Sequence, residues 1–479
     1  MKNILIAIRS IFKKGRHNVM KIVSLGIGLA VGLVLIAKVY FEQSYDDFYP
    51  DRDRVYQVWA KYQQNGGELK DYPQTSGGIA PTMQQQIPEI ETVTRYTSFG
   101  DWTFTMTDTK MKYSGRCIIA DSCFFDILPR PMLIGNAKEV LSTPMYVLIS
   151  SRIAKNIGGD VIGKNFTVDN SPGRTMTIGG VFEEVPENSH SRYDVIVSMA
   201  SAGRFMWEGS PTNMLGNDRY ISYVKLHKGV NPLALEEQVR TFVNSYFPPE
   251  EQQKVGLSID FSFHKLDNLH KELPQVKRMT WILSLLAFAL IFTAVMNYIL
   301  IVISSIVNRS KEVAVHKCYG ASENNIHGMM FGEALVHIVL SLILALLLIL
   351  AFRGTVEELL ATSLDSLLLS NGSLVLLGIC ILVFFVSGFM PGSLYARIPV
   401  ASAFRNYREN KRIWKKALLL VQFVATGFLV TMLVFVARQY TFMVNDRPGY
   451  AYENLTYCGL AGVDSLSLIH ISEPTRLAL

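Results

Sequence analysis

Charge is scarce in this chain: only 18% of its 479 residues are Asp, Glu, Lys or Arg, against a usual ~25%. A soluble chain of this length needs more charge than that to cover its surface. Cysteine is sparse as well. Five thiols are too few for a disulfide framework, and Cys318, Cys380 and Cys458 have no metal-ligand spacing. The nine histidines are scattered, and the chain has no H-E-x-x-H, no G-x-S-x-G and no paired-cysteine zinc pattern. No catalytic, metal or cofactor site is therefore nominated. Disordered, collagen-like and disulfide-rich secreted classes are excluded too. What the chain does have is apolar sequence: 49% hydrophobic residues and a mean hydropathy of +0.23, gathered into a few long runs. It reads as a membrane protein.

A hydrocarbon core about 30 Å thick needs about 20 apolar residues in a helix. Five segments qualify: residues 19–41, 279–308, 334–352, 373–391 and 417–437. Lys38 interrupts the first and is expected to snorkel outward. Pro391 is expected to end the fourth. The first run is longer than the ~7–15 residues of a signal-peptide core and no A-x-A site follows it, so it reads as an uncleaved anchor. No acid lies within the five spans, which argues against a proton-coupled carrier.

Lys and Arg in short loops set orientation. Lys2, Arg9, Lys13, Lys14, Arg16 and Lys21 precede the first span without a carboxylate. Arg397, Arg405, Arg408, Lys411, Arg412, Lys415 and Lys416 fill the linker 396–416 against Glu409 alone. The loop after the third span has Arg353 against Glu357, Glu358 and Asp365. A cytoplasmic N-terminus and an external segment 42–275 follow. The net charge of +6 is thus a topology signal, and no nucleic-acid partner is expected. Within residues 1–18, Ile4, Leu5, Ile8, Ile11 and Phe12 share one helical face, as in an amphipathic helix lying on membrane lipid.

Residues 42–275 have the composition of a globular α+β domain. Strands are expected near 55–60, 174–182, 194–199 and 220–226, and helices near 150–157 and 231–246. Cys117 and Cys123 could pair in an oxidising compartment, although their neighbours look like buried packing. Residues 158–165, GGDVIGKN, nearly spell a P-loop. Asn165 stands where that motif needs a hydroxyl, and a turn into a strand at 165–168 explains the segment better.

The stretch 308–335 carries the pattern R-x-K-E-x-A-V-x-K…G-A-S…I…E-A-L. Physically, the second helix would run past the membrane to Lys317 and be capped at Gly320. Ser322 would then start a short helix leading into the third span. The pattern resembles FtsX-like ABC transporter permeases of the MacB type. Residues 124–135, 147–150, 158–164 and 178–190 are similar to that family's periplasmic domain, and 391–400 to its closing segment. With the five apolar runs, the expected fold is a five-helix transmembrane bundle with a large extracytoplasmic α+β domain, and the resemblance implies that this domain is like the MacB periplasmic core. It implies that residues 309–333 dock on a separate cytoplasmic ABC ATPase, through Lys311, Glu312, Lys317, Gly320, Ala321, Ser322, Ile326 and Glu333. Glu312 is expected to meet a basic residue of that partner or of the amphipathic helix. Export of a peptide, drug or lipoprotein by mechanotransmission at the bacterial inner membrane is the function implied. The alternative within the family is control of cell-wall hydrolases, so a periplasmic adaptor or a hydrolase is a further expected partner. A membrane-anchored sensor fits less well, because no cytoplasmic segment is long enough to signal.

A fifth span departs from the four-span pattern of that family. Arg16, Ala37, Lys38 and Tyr40 are matched 400 positions later by Lys416, Ala437, Arg438 and Tyr440. The spacing suggests the duplicated, eight-span type, with residues 438–464 beginning a second external domain. Residues 465–479 look like a translated sequencing-library adapter, so the natural chain is expected to continue past Asp464.

Overall fold

The computed structural model describes residues 17–168, 173–369, 371–396 and 413–445. The expected amphipathic N-terminal helix, most of the basic linker 396–416 and everything after 445 lie outside the described residues. Among the described residues two compact units emerge, a helical one from 17–43 and 273–445, and an α+β one from 44–272.

The helical unit contains five helices long and apolar enough to span a bilayer. They are α1 (Asn18–Gln43), α2 (Pro274–Ser304), α4 (Glu323–Ala351), α5 (Ser373–Ala396) and α6 (Ile413–Asn445), with the shorter α3 (Ile306–Cys318) between α2 and α4. α1 packs against both α2 and α4. Small residues make this possible. A Cβ built on Gly28 would overlap Ala294, and one on Gly32 would overlap Ile291, so α1 and α2 approach through a G-x-x-x-G face. Across the other side of α1, the Ser341 hydroxyl of α4 donates to the Ile22 carbonyl at 3.1 Å. Tyr298 and His337 meet between α2 and α4, with the phenol oxygen 3.2 Å from Nδ1. Phe331 of α4 packs on Phe384 and Phe385 of α5. α6 leans on α2, where Gln422 donates to the Thr293 carbonyl at 3.3 Å, and none of its apolar window 419–445 is buried.

Five expectations need correcting. Lys38 does not snorkel: it is buried, 2.6 Å from Glu42 and 2.8 Å from the Thr362 hydroxyl. A partner one turn along α1 and another from the loop after α4 satisfy the ammonium more fully than a reach outward. Pro391 does not end the fourth helix, which continues to Ala396. Proline removes one backbone bond, and packing against neighbouring helices sustains the rest in a membrane bundle. The second helix is not continuous to Lys317, because it breaks at Ser305, whose hydroxyl turns back onto the Val302 carbonyl at 2.6 Å. Nor is there a separate short helix after Ser322. Nothing between Glu323 and Ala351 interrupts the ladder, so the cytoplasmic turn and the span are one rod. Lastly, the helix expected at 231–246 opens as a 3-10 turn, Pro232–Leu235, and becomes α-helical from Glu236.

The α+β unit holds one sheet of eleven strands: β1 (Val55–Gln64), β2 (Lys70–Tyr72), β3 (Ile90–Met106), β4 (Lys112–Ala120), β5 (Met132–Ile134), β6 (Tyr146–Ser150), β7 (Asn165–Val168), β8 (Thr175–Phe182), β9 (Val195–Ser198), β10 (Ile221–Leu226) and β11 (Leu257–Lys265). The order is β11-β1-β10-β3-β4-β9-β6-β8-β5, with β2 on β1 and β7 bridging β3 and β8. Pairing is antiparallel except for β4–β9 and β6–β8. Period-two geometry sends alternate residues to opposite faces. In β4, Cys117 and Ile119 enter one core while Ile118 and Ala120 enter another. In β6, Val147 and Ile149 divide from Leu148 in the same way. Helices Ile79–Gln86 and Glu236–Tyr246 add Ile79, Met83, Val239 and Phe242 to a third core beneath β1 and β10. The near-P-loop is a turn into β7.

Candidate functional site

The turn between α3 and α4 is built from two helix ends. The Ala321 amide donates to the His316 carbonyl and the Gly320 amide to the Lys317 carbonyl, both at 3.0 Å. This is a Schellman closure of α3, which requires a left-handed residue between the two bonds. Gly320 supplies it at φ 85°. Two residues on, Ser322 adopts an extended conformation and its hydroxyl accepts from the Asn325 amide at 3.4 Å, capping α4. His316 and Lys317 occupy the last turn of α3 and Glu323 the first turn of α4, each complementing its helix dipole.

The two helix ends have distinct inner and outer faces. Val313, Ala314, Ile326 and Met330 are buried. Lys311, Cys318, Gly320 and Ser322 are exposed, and Ala321 is partly so. Tyr319 is 89% exposed and Val315 42%. Glu312 and Lys317 are half-buried, and each engages neighbours within the chain. Of the eight residues expected to meet a partner, Ile326 and Glu333 are therefore inside the unit. Ile326 joins the helical core, and Glu333 lies 3.7 Å from the ammonium of Lys21, both side chains under 10% exposed. The helical repeat places 326, 330 and 333 on the inward stripe of α4, a consequence of α4 being one rod. Asn18 completes the group, accepting from Lys21 at 3.3 Å.

Sequence reading missed Tyr319, Lys21 and the Gly28/Gly32 pair. A signal existed for the last, since G-x-x-x-G within an apolar run marks close helix packing.

A second polar cluster sits where α1 gives way to the α+β unit. Asp46 is fully buried in a left-handed conformation. Its carboxylate accepts from the Ser189 hydroxyl at 2.7 Å and lies 2.5 Å from His190 Nδ1. His190 Nε2 is 2.5 Å from the Tyr223 phenol, whose ionisation burial pushes far up. Asn188 donates to the Ser44 carbonyl at 2.7 Å. Together these bonds fasten the first residues of the unit to the loop 188–190. Among the described residues no group of three His, Cys, Asp or Glu side chains is placed to hold a metal ion, and Cys117 and Cys123 are free thiols.

Five spanning helices, a capped turn between two of them and a large α+β insertion define a multi-pass membrane protein of the transporter-permease class. Two family models match the chain: the MacB-like periplasmic core domain over residues 20–242 and the FtsX-like permease C-terminal domain over 284–400. The chain belongs to the FtsX/MacB-type ABC transporter permeases. Permeases of this type work with a cytoplasmic ABC ATPase. Solved structures that match include a domain described as that of a permease from Porphyromonas gingivalis, at 33% identity and a TM-score of 0.42, covering 45% of this chain and 91% of that one. The periplasmic region of MacB from Actinobacillus actinomycetemcomitans matches at 16% identity and a TM-score of 0.29, covering 43% and 87%. The extracellular domain of the ABC-type transporter YknZ from Gram-positive bacteria matches at 11% and 0.30, covering 43% and 98%. No curated protein matches at a significant level.

Proposed function

We propose that this permease converts ATP-driven dimerisation of a separate ATPase into movement of its α+β domain, outside the inner membrane, with the N-terminus and the α3–α4 turn in the cytoplasm. The observation that carries the reading is the two-sided turn. Tyr319, Val315, Lys311 and the backbone around Gly320 face outward, while Val313, Ile326 and Met330 hold the same segment to the bundle. A surface so backed moves as a unit when pushed. The path inward is physical: α4 grips α1 through Glu333–Lys21 and Ser341–Ile22, and the chain runs from α1 directly into Ser44. Such a device moves cargo of peptide, drug or lipoprotein type without a tunnel through the bilayer.

Tyr319→Asp and Gly320→Val test the docking role in full chain reconstituted with a MacB-type ATPase. A branched residue at φ 85° costs about 1–2 kcal/mol locally, too little to unfold the bundle but enough to misplace Tyr319. Association and stimulated ATP hydrolysis are expected to fall at least tenfold in both variants. Unchanged values, with normal membrane insertion, would remove support for the docking surface.

The orientation is tested through cysteine chemistry. Cys318 is exposed, whereas burial pushes the Cys117 thiol well up and the Cys123 thiol up to about 11. In a Cys458→Ser background, a membrane-impermeant maleimide at pH 7.5 should label Cys318 in inverted vesicles and leave right-side-out vesicles unlabelled. The opposite pattern would reverse the topology.

A further inference from the structure

Four arginines surround one pocket of about 280 Å³ in the α+β domain: Arg116 of β4, Arg130 before β5, Arg152 of the helix Ser151–Ile157, and Arg192 before β9. Two acids share the lining, Glu184 and Asp194. Both are already engaged. Arg152 reaches Glu184 at 3.3 Å and Asp194 at 2.5 Å. The other oxygen of Asp194 accepts the Arg116 backbone amide at 2.9 Å. That arrangement ties both carboxylates to Arg152 and one of them also to the Arg116 backbone.

Arg130 is the unusual member. It is 5% exposed, and no carboxylate pairs with it among the described residues. It donates to the carbonyl and the hydroxyl of Ser191, and its charge lies over the rings of Phe182, at 5.1 Å, and Tyr193, at 5.8 Å. Its Nε makes no hydrogen bond. A buried guanidinium without an acid is costly, and burial pulls its pKa below the usual arginine range. Arg116 and Arg192 are exposed at the same pocket, each without an acid partner among the described residues. Four cations against two acids leave the lining with two positive charges to spare.

We propose that this pocket binds a doubly charged oxyanion, of the phosphate monoester class. Guanidinium forks match phosphate oxygens two at a time, which a point charge cannot do. The volume is below the ~300 Å³ at which pockets hold whole drug-sized molecules. It takes free phosphate, or the phosphate end of something larger such as a lipid headgroup. The site is independent of the coupling turn, and the two can fail separately.

The experiment uses the full chain in dodecyl maltoside, with ionic strength held constant by chloride. Inorganic phosphate is titrated and its phosphorus NMR line width followed. Saturable broadening is expected. Arg116→Ala and Arg192→Ala, both exposed and so neutral to folding, should each weaken the apparent Kd at least tenfold, while Lys155→Ala on the helix bearing Arg152 should leave it unchanged. Dihexanoyl phosphatidic acid and glycerol 3-phosphate then compete against phosphate. Tighter displacement by the lipid identifies a headgroup source, and equal displacement a soluble phosphate. Broadening that does not saturate, or that survives both arginine substitutions, would overturn the assignment.

Discussion

Gly28→Leu is expected to separate α1 from α2 and to abolish the thermal transition of the detergent-solubilised chain. Even a Cβ at this position would lie 2.2 Å from the Cβ of Ala294, an atom fixed to the main chain that no rotamer change can swing away. Overpacking a tight core costs about 1–3 kcal/mol when rotamers can adjust. Here the helices themselves must part, which also opens the Gly32 contact one turn on. Gly28→Ala should give a partial loss. Gly378→Leu is the control, because a Cβ there meets nothing within 4 Å. Melting followed by size-exclusion fluorescence decides the matter, and equal stability of Gly28→Leu and Gly378→Leu would show that the close approach does not hold the pair together.

The second large effect is expected at Glu333. Glu333→Ala removes the carboxylate 3.7 Å from the Lys21 ammonium, in a site where Lys21 has no exposed surface. Breaking a buried pair from one side costs about 3–5 kcal/mol. Replacing both partners with apolar residues removes the stranded charge, so Lys21→Met with Glu333→Leu should recover most of the stability lost by Glu333→Ala. Coupling should not recover with it. The double variant is expected to melt like the parent yet respond poorly to the ATPase, because α4 then loses its charged contact with α1 and keeps the Ser341–Ile22 hydrogen bond. If it restored both properties equally, the pair would be a stability element alone.

The long elements were legible because the bilayer imposes a length. An apolar run of about 20 residues has few other readings, and the five helices follow from it. The caps at Gly320 and Ser322 were legible for a local reason, since a left-handed C′ glycine and an N-cap serine act within one turn. Strand β1 was recognised from its alternation, but alternation alone does not say what covers each face. Val55, Tyr56, Gln57 and Val58 are all buried, because β1 lies between β10 and β11 with cores on both sides. What stayed hidden depends on distant segments. Lys38 reads as a snorkelling lysine until Thr362, far along the chain, is brought to it. Ile326 and Glu333 read as docking residues while a short independent helix was expected there. Once α4 is a single rod, the same positions fall on its buried stripe. The arginine pocket draws on segments around 116, 130, 152 and 192, and no local spacing announces it.

The way the α+β domain joins the helices also has an evolutionary consequence. Chain enters it after Gln43 at the end of α1 and leaves it at Glu272, just before α2. α1 and α2 are the pair held together at Gly28 and Gly32. The spacing of the two points of attachment is therefore a property of the membrane helices, and the ends of the insert are brought together whatever lies between them. Loop-closure entropy rises only slowly with the length enclosed, and compact domains with neighbouring termini tolerate being inserted in this way. Insert and membrane bundle are accordingly interchangeable parts. Descent can lengthen, remodel or exchange the inserted module while the helical mount stays as it is.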